Sequence, residues 1–516
     1  MSTQAVWLIV AAIATALLHT IHTRRKRSKL LLPPGPKKLP LIGNLLDVPQ
    51  LPWEGYAKWS KEFNSDIIHL DVLGTSIVVL SSTEAVGDLF KKRGSLYSHR
   101  PHAVMLNELM GWGEWSFGFM DHGDHWRTNR KLFHETFVGA AIQFRPQVRA
   151  STHALLRRIL LNPQNIMEHL RHMAGSLIIS ATYGIDVLPS DDPYIHIAEE
   201  AMYGLSIACV PGSFLVDSIP LLKYVPSWFP GADFQRKARR WREVTQDLVT
   251  LPFVEAKRKI AAGTAPPSFV SLNLTPDTSP EQERRIQETA AVAYAAGSDT
   301  TISALGTFVL AMLRNPEAQK RAQLELDGVL GFGIGARLPD FQDRHSGALP
   351  YVCALIKEVL RWENVAPISL PHRLTDDADD EYKGYRIPAG SIVLENIWAL
   401  MHDEELFPDP KSFNPERFLQ DGKLKPDIMD PELVVFGSGR RTCSGRQLAL
   451  DSLWLTIASI LATMDIKKAV DEEGKEIEPS YEYVAAVVHS PVPFDCSITP
   501  RSAHAVEAIE ATAAGD

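Results

Sequence analysis

Two regimes of hydrophobic patterning divide this chain. From Ala5 to Ile21 the run AVWLIVAAIATALLHTI is apolar apart from Thr15 and the His19-Thr20 pair, and Arg24, Arg25, Lys26, Arg27 and Lys29 follow at once. A spanning helix needs roughly 17–25 residues, so the run sits at the short end. A cleaved signal peptide carries its positive charge ahead of the apolar stretch, the reverse of the order here. The positive-inside rule therefore predicts a single-pass anchor over residues 1–30, with the N-terminus in the lumen and the rest of the chain in the cytosol. The competing reading is a short helix lying in the membrane interface.

After the anchor, Leu32-Pro33-Pro34-Gly35-Pro36 and Leu39-Pro40-Leu41-Ile42-Gly43-Asn44 cannot continue a helix, because proline fixes φ and lacks a donor. They read as a stiff elbow or a plain linker. Beyond them the pattern is mostly helical, as in Glu281–Leu313 and Tyr351–Arg361. Alternating runs are few: Ile67–Leu73 with Ser76–Leu80, and Ser391–Leu394. Ala261–Pro280, rich in Ala, Pro, Ser and Thr, reads as a surface loop, and Ala503–Asp516 as a flexible tail. No linker, repeat or charge block splits the body. The expected organisation is one mainly α domain with small β-sheets over residues 31–502, an anchor before it and a tail over 503–516.

Composition narrows the class without naming it. The 516 residues are 45% hydrophobic and 22% charged, which excludes disorder and low-complexity readings. A formal net charge of -9 argues against a nucleic-acid partner. Four cysteines, at positions 209, 353, 443 and 496, are too few for a disulfide scaffold in so long a chain.

Four separated constellations carry candidate chemistry. The sharpest is Phe436-Gly437-Ser438-Gly439-Arg440-Arg441-Thr442-Cys443-Ser444-Gly445, a frame of the form F-x-x-G-x-R-x-C-x-G. Its glycines permit tight turns that bring N–H groups toward one sulfur, and such donors favour a thiolate. A thiolate is the axial ligand that pushes electron density onto haem iron. Arg441 is placed to meet a haem propionate. No second Cys or His stands at zinc-ligand spacing, and Cys353 and Cys496 read as buried structural thiols.

Second, Ala296-Gly297-Ser298-Asp299-Thr300-Thr301 lies midway along the helix that Asn315-Pro316 ends. An acid beside a hydroxyl is unhelpful inside a helix, since both compete for backbone hydrogen bonds. Gly297 is expected to open a groove for a ligand, with Thr300 donating a proton there and Asp299 resupplying it. Third, Glu358-Val359-Leu360-Arg361 sets an acid and a base three apart on one face, and Asn414-Pro415-Glu416-Arg417-Phe418 offers a second base. Together they predict a Glu358–Arg361–Arg417 network that fixes the loop leading to Cys443. Fourth, Trp126 and Arg130 at i,i+4 can address one carboxylate together, while Arg127 and Lys131 face elsewhere as a basic patch.

In this order the motifs W-x-x-x-R, A-G-x-D-T-T, E-x-x-R, P-E-R-F and F-x-x-G-x-R-x-C-x-G resemble the cytochrome P-450 superfamily of haem-thiolate monooxygenases, over roughly Leu32 to Pro500. The anchor and proline elbow are similar to the microsomal class. Asn107–Trp112, Trp228–Ala232 and Pro371–Leu374 resemble fungal secondary-metabolism members of the O-methylsterigmatocystin oxidoreductase-like group common in mushrooms.

The resemblance implies the cytochrome P-450 fold and haem b held by Cys443. It implies Asp299 and Thr300 as the acid–alcohol pair for dioxygen activation, and Glu358, Arg361 and Arg417 as a structural triad. Trp126, Arg130 and Arg441 would hold the propionates, joined by His372, where the family often has arginine, or by Arg373. Ser444 departs from the proline common after the ligand, and it adds an N–H expected near the sulfur. The implied activity is oxidation of a small hydrophobic molecule, a terpenoid first and an aromatic or indolic scaffold next. Electrons would come from NADPH through cytochrome P-450 reductase, docking on the Arg127/Lys131 side, with cytochrome b5 as an auxiliary, at the endoplasmic reticulum membrane. Pocket walls would come from 103–119 (Trp112, Trp115 and Phe117 as shape-setters, Glu108 as the one acid), 205–214, 293–301, 365–370 and 484–488. The alternative is a haem-thiolate isomerase or dehydratase, or a haem sensor, that does not use dioxygen.

Overall fold

The computed structural model describes residues 30–139, 141–210 and 212–514. The helices that build the site are α1 (Asp124–Phe137), α2 (Arg145–Leu161), α3 (Ile166–Tyr183), α4 (Pro193–Ala208), α5 (Asp233–Ala261), α6 (Pro280–Arg314), α7 (Pro350–Trp362), α8 (Arg446–Thr463) and α9 (Ala503–Ala511). The main sheet holds β1 (Ile67–Val72), β2 (Thr75–Leu80), β3 (His372–Arg373) and β4 (Ile392–Glu395).

Local chemistry starts α6 where the pattern predicts. The Ser279 side chain accepts from the Gln282 N–H and the Gln282 side chain returns to the Ser279 N–H, with Pro280 at the first position and Glu281 and Glu283 in the first turn. Asn315-Pro316 ends the helix. Its C-terminal half is apolar on every side: Leu305, Phe308 and Val309 are fully buried, in one cluster with Leu155 and Leu156 of α2, Leu170 of α3, Leu355 of α7 and Leu455 and Ile457 of α8. Its N-terminal half joins a second cluster with Phe133, Phe137, Trp241 and Phe269. Each such Leu or Phe contributes about 1.5–3 kcal/mol on burial, so α6 is the axis of the fold. Among the described residues it is the one helix long and apolar enough to cross a membrane, and it lies inside the protein.

The sheet runs β1-β2-β4-β3. β1 and β2 form an antiparallel hairpin, Ile67 opposite Leu80, turning through Leu73 (φ 51°) and Gly74 (φ 86°). β4 lies parallel to β2, Ile77 opposite Ile392, and β3 pairs antiparallel to β4 with His372 opposite Val393. This is the mainly α architecture with small sheets that the pattern predicts.

Four expectations need correction or relocation. The anchor falls, apart from Leu30, outside the described residues. The proline elbow is no plain linker where it is described: the His69 N–H donates to the Pro34 carbonyl at 2.9 Å, and a Cβ on Gly35 would lie 2.0 Å from the His69 carbonyl oxygen. Ala261–Pro280 is not wholly loop. Phe269–Asn273 forms a helix under a Ser268/Ser271 capping box, with Phe269 and Val270 fully buried and Phe269 stacked on Phe137 at 5.4 Å. The segment after Ser502 is not a frayed tail either. The Ser502 hydroxyl accepts from Ala505 N–H to start α9, Ile509 is fully buried, and Arg157 of α2 donates to Thr512. One apolar side chain and one cap hold a segment that composition alone marks as loose.

Candidate active site

Cys443 stands three residues before the first residue of α8, at the end of a loop whose shape its glycines set. Gly437 and Gly439 have φ of +74° and +67°. A Cβ on Gly439 would lie 2.1 Å from the Phe90 carbonyl oxygen, so only glycine lets the loop close on Gly87–Lys92. Gly439–Arg441 make a single 3-10 turn, and the Cys443 N–H donates to the Phe436 carbonyl at 2.8 Å, fixing the cysteine's direction. Burial pushes its thiol up. The N–H groups of Gly445 and Arg446 and the charges of Arg130 and Arg446 pull it down. Sγ therefore meets a helix N-terminus and two guanidinium groups, the setting that favours a thiolate. The side chain is nevertheless exposed, so it faces open space inside a desolvating surround. The donors at sulfur belong to Gly445 and Arg446, not to Ser444 as expected. Ser444 acts through Oγ, which accepts from Arg130 Nη1 at 2.8 Å.

Around this cysteine the chain gathers cations with too few counter-charges. Arg441 donates to the carbonyls of Ser98, Phe117 and Met120 at 2.8–3.1 Å. Its guanidinium lies 4.4 Å from the Trp126 ring centroid, and that of Arg130 lies 5.6 Å away. Burial, then repulsion by Arg100 and Arg130, push Arg441 down to about 8, with Asp121 opposing. Arg100, itself buried and bonded to the carbonyls of Gly118, Leu370 and Pro371, is pushed down to about 10. His372 donates from Nδ1 to the Tyr97 carbonyl at 2.7 Å and stacks on Phe90 at 3.9 Å. Burial, Arg100 and Arg441 hold it well below the ordinary histidine range.

Buried cations that repel one another call for an anion, and a dicarboxylate macrocycle would meet that need; these residues fit haem. Between the two candidates at Pro371, Arg373 is committed elsewhere: Nη1 to Asp376 at 2.5 Å, Nη2 to Asp121 at 3.3 Å and Nε to the Arg100 carbonyl at 3.1 Å. His372 is the residue inside the cluster. Arg100 was missed in the sequence, where Ser-His-Arg-Pro carries no periodic signal of a buried arginine.

On α6, Ala296 is exposed between buried neighbours in mid-helix, and Thr300 follows four residues later on the same face, its Oγ1 donating to the Ala296 carbonyl at 3.0 Å. Gly297 does not open a ligand groove. A Cβ there would lie 2.7 Å from Ile178 Cδ1 and Cγ1 of α3, so the glycine admits a neighbouring helix. Asp299 faces away from Thr300, into a cavity of about 330 Å³ shared with α3, α4 and residues 484–493. Burial pushes its carboxyl up to about 6, with Arg171 pulling it down and Glu199 pushing it up.

Glu358, Arg361 and Arg417 come together. Arg361 Nε and Nη2 donate to the two Glu358 oxygens at 2.7 and 2.8 Å, both side chains fully buried. Arg417 Nε reaches both oxygens at 3.1 Å, and the Asn414 N–H reaches Oε1 at 2.7 Å. The remaining guanidinium donors go to the carbonyls of Met401, Pro408, Asp409 and Ser412, which pins residues 401–417.

Trp112, Trp115 and Phe117 are buried in the second core cluster rather than presented to open space. Glu108 is spoken for. Lys223 Nζ meets Oε2 at 2.6 Å and His102 Nε2 meets Oε1 at 2.9 Å, while its carbonyl accepts from Arg242 Nη1 at 2.8 Å. With the Met105 N–H donating to Asp217 at 2.8 Å, this ties Val104–Leu109 to residues 217–223. Lys223→Met is expected to speed amide exchange in both segments, measured by hydrogen-exchange mass spectrometry, with the core of α6 unchanged. The basic patch is locally neutralised: Arg127 pairs with Asp124, and Lys131 with Glu135 at 3.7 Å.

The cytochrome P-450 family profile matches residues 33–495. The chain is 47% identical over 500 residues to a cytochrome P-450 monooxygenase of Postia placenta, covering 95% of this chain and 94% of that one. It is 44% identical to the cytochrome P-450 monooxygenase ple1 of Rhodocybe pseudopiperita, covering 96% and 95%. It is 40% identical to the tryptamine 4-monooxygenase of Psilocybe cyanescens, covering 97% and 99%. Agreement of this extent spans the cysteine loop, the cation cluster and α6 alike, and by it the chain belongs to the cytochrome P-450 family, as a haem monooxygenase that draws its electrons from a partner reductase.

Proposed function

We propose that this monooxygenase of fungal secondary metabolism oxidises a neutral hydrophobic small molecule, a terpenoid first and an aromatic or indolic scaffold next. Its electrons come from NADPH through cytochrome P-450 reductase, with cytochrome b5 as an auxiliary donor. The observation that carries the site is the cation cluster of Arg100, Arg130 and Arg441 beside an exposed Cys443. The neutral substrate is supported by Glu108, whose charge Lys223 already meets. A basic indolic substrate, the class suggested by the tryptamine 4-monooxygenase relative, would find that carboxylate already paired.

In this reading bound haem supplies the activation of dioxygen. Cys443 would hold the iron, with the Gly445 and Arg446 N–H groups stabilising negative charge at Sγ. Arg130, Arg441, His372 and Trp126 would hold the haem carboxylates, and Arg100 would add positive charge to the same cluster. Thr300 Oγ1 holds a proton on the Ala296 face, and Asp299 replenishes it from solvent. Glu358, Arg361 and Arg417 keep the loop before Cys443 in place. A seat on the endoplasmic reticulum membrane is supported by exposed apolar side chains at Leu41, Leu46, Ile219, Leu221 and Trp228, with Leu45 lying against Gly212.

The test is turnover of a substrate panel with the reductase, read by mass spectrometry with and without NADPH. Product formed without NADPH would favour the isomerase reading. Thr300→Ala is expected to keep NADPH consumption while product per NADPH falls about tenfold or more. Unchanged coupling would remove Thr300 from proton delivery.

A further inference from the structure

A buried carboxyl stands where the main sheet meets the cysteine loop. Val78, Leu80 and Val393 share one face of that sheet with His372, and the face packs against Phe90 and Val434. Glu395, two residues after Val393 and opposite Leu80, continues the same face and is 1% exposed. Ser369 fixes its backbone: Oγ accepts the Glu395 N–H at 3.0 Å, and the Ser369 N–H donates to the Glu395 carbonyl at 2.9 Å. Oε1 accepts from the Ser438 hydroxyl at 3.1 Å, whereas Oε2 is buried without a partner. Ser438 is itself buried in the Phe436–Gly445 loop, between Phe436 and Cys443, whose backbones are bonded to each other. Among the described residues no cation pairs with Glu395. Lys91, exposed on Gly87–Lys92, acts on it through its field alone, and His372 on the same face is held neutral by burial. Burial pushes the Glu395 carboxyl up to about 7, with Ser438 and Lys91 pulling it down. An apolar side chain would fill this position at lower cost than an acid with one hydrogen bond, so packing does not account for it.

We propose that Glu395 is a positioning residue that acts through Ser438 on the cysteine loop and couples reduction of the haem to uptake of one proton. The proposal rests on the reading of Cys443 as the iron ligand. The balance is one electron and one proton. The partner reductase gives the electron to ferric haem, which becomes ferrous, and the Glu395 carboxylate takes the proton from solvent hydronium, leaving water and the neutral acid. Ionised, Glu395 adds a negative charge at the loop that already carries the thiolate, and this disfavours an incoming electron. Protonated, it removes that charge. A buried group with no counter-ion is weakly screened by salt, so the effect persists at physiological ionic strength. Glu395 is ionised above about 7, so reduction becomes harder as pH rises through that value and easier as it falls.

The test uses the full-length haem-loaded protein without substrate. Its ferric–ferrous potential is measured by spectroelectrochemistry from about pH 6 to about pH 8, and the infrared difference between the two redox states is recorded in the carboxyl region. The wild type is expected to show a potential that falls with rising pH and a protonated-carboxyl band that grows on reduction. Glu395→Gln keeps an acceptor for Ser438, so the carbon monoxide difference spectrum stays normal while the pH slope and the band are both lost. Above about pH 7 its potential lies higher than that of the wild type. Ser438→Ala keeps the acid and removes the hydrogen bond that lowers its proton affinity, so the slope persists with its midpoint moved upward. A slope and band that survive in Glu395→Gln, or that are absent from the wild type, overturn the proposal. Failure of the underlying reading is distinct: a normal carbon monoxide spectrum from Cys443→Ala removes the iron ligand whatever Glu395 does to the potential.

Discussion

Cys443→Ala is expected to yield a folded protein with no haem-thiolate absorbance and no product. The side chain contributes little to the core, because it is exposed within the fold and the loop is held by backbone bonds that do not involve sulfur. Phe436 O still receives the residue-443 N–H, and Gly439 still seats against Phe90. What is lost is the one soft anionic ligand, leaving the N–H groups of Gly445 and Arg446 aimed at nothing. Cys443→Ser, which keeps size and polarity, separates loss of ligand from loss of shape. The carbon monoxide difference spectrum is the measurement, and a normal spectrum from either variant would sink the assignment.

Glu358→Ala is expected to be the most destabilising single change away from that cysteine. It leaves Arg361 fully buried and Arg417 nearly so without their carboxylate, and orphans the Asn414 N–H. Removing one partner of a buried pair costs about 3–5 kcal/mol, because an uncompensated charge remains behind. Glu358→Gln keeps the shape and one acceptor, so it should fall between the wild type and alanine. Thermal unfolding and haem content of the purified protein report the effect. The loss should appear as poor haem retention, since residues 401–417 run toward the cysteine loop. Equal midpoints for wild type and Glu358→Ala would remove the network from a structural role.

How much of this was legible depended on sequence separation. The Phe436–Gly445 frame could be read because its geometry is local: two positive φ values and one backbone bond over seven residues aim the sulfur. Glu358 and Arg361 could be read because a helix places i and i+3 together. Even local reasoning erred where a neighbour decided the role. Gly297 looks like an opening for a ligand and is a seat for Ile178, and Ser444 acts through its hydroxyl on Arg130 rather than through its N–H. The helix at Phe269–Asn273 and the docked α9 are not legible because their composition is loop-like and a few buried side chains and caps, Phe269, Val270 and Ile509 among them, hold them.

The choice between His372 and Arg373 shows the same limit from another side. Both follow Pro371, and only the position of Asp121 and Asp376 shows that the arginine is engaged on the outer surface. Glu108 appears free in the sequence and is met by Lys223, 115 positions later. Arg100 and Glu395 carry no motif at all.

The amino-acid sequence alone therefore determined the family, the loop that aims Cys443 and the pairing of Glu358 with Arg361, since the last two are set by turns and helical periodicity within a few residues. Tertiary structure alone decided which cations gather around Cys443, which acids are already neutralised and which cavity Asp299 lines. Those outcomes depend on how helices cross, and the crossing is set by burial summed over the whole core rather than by any stretch of chain.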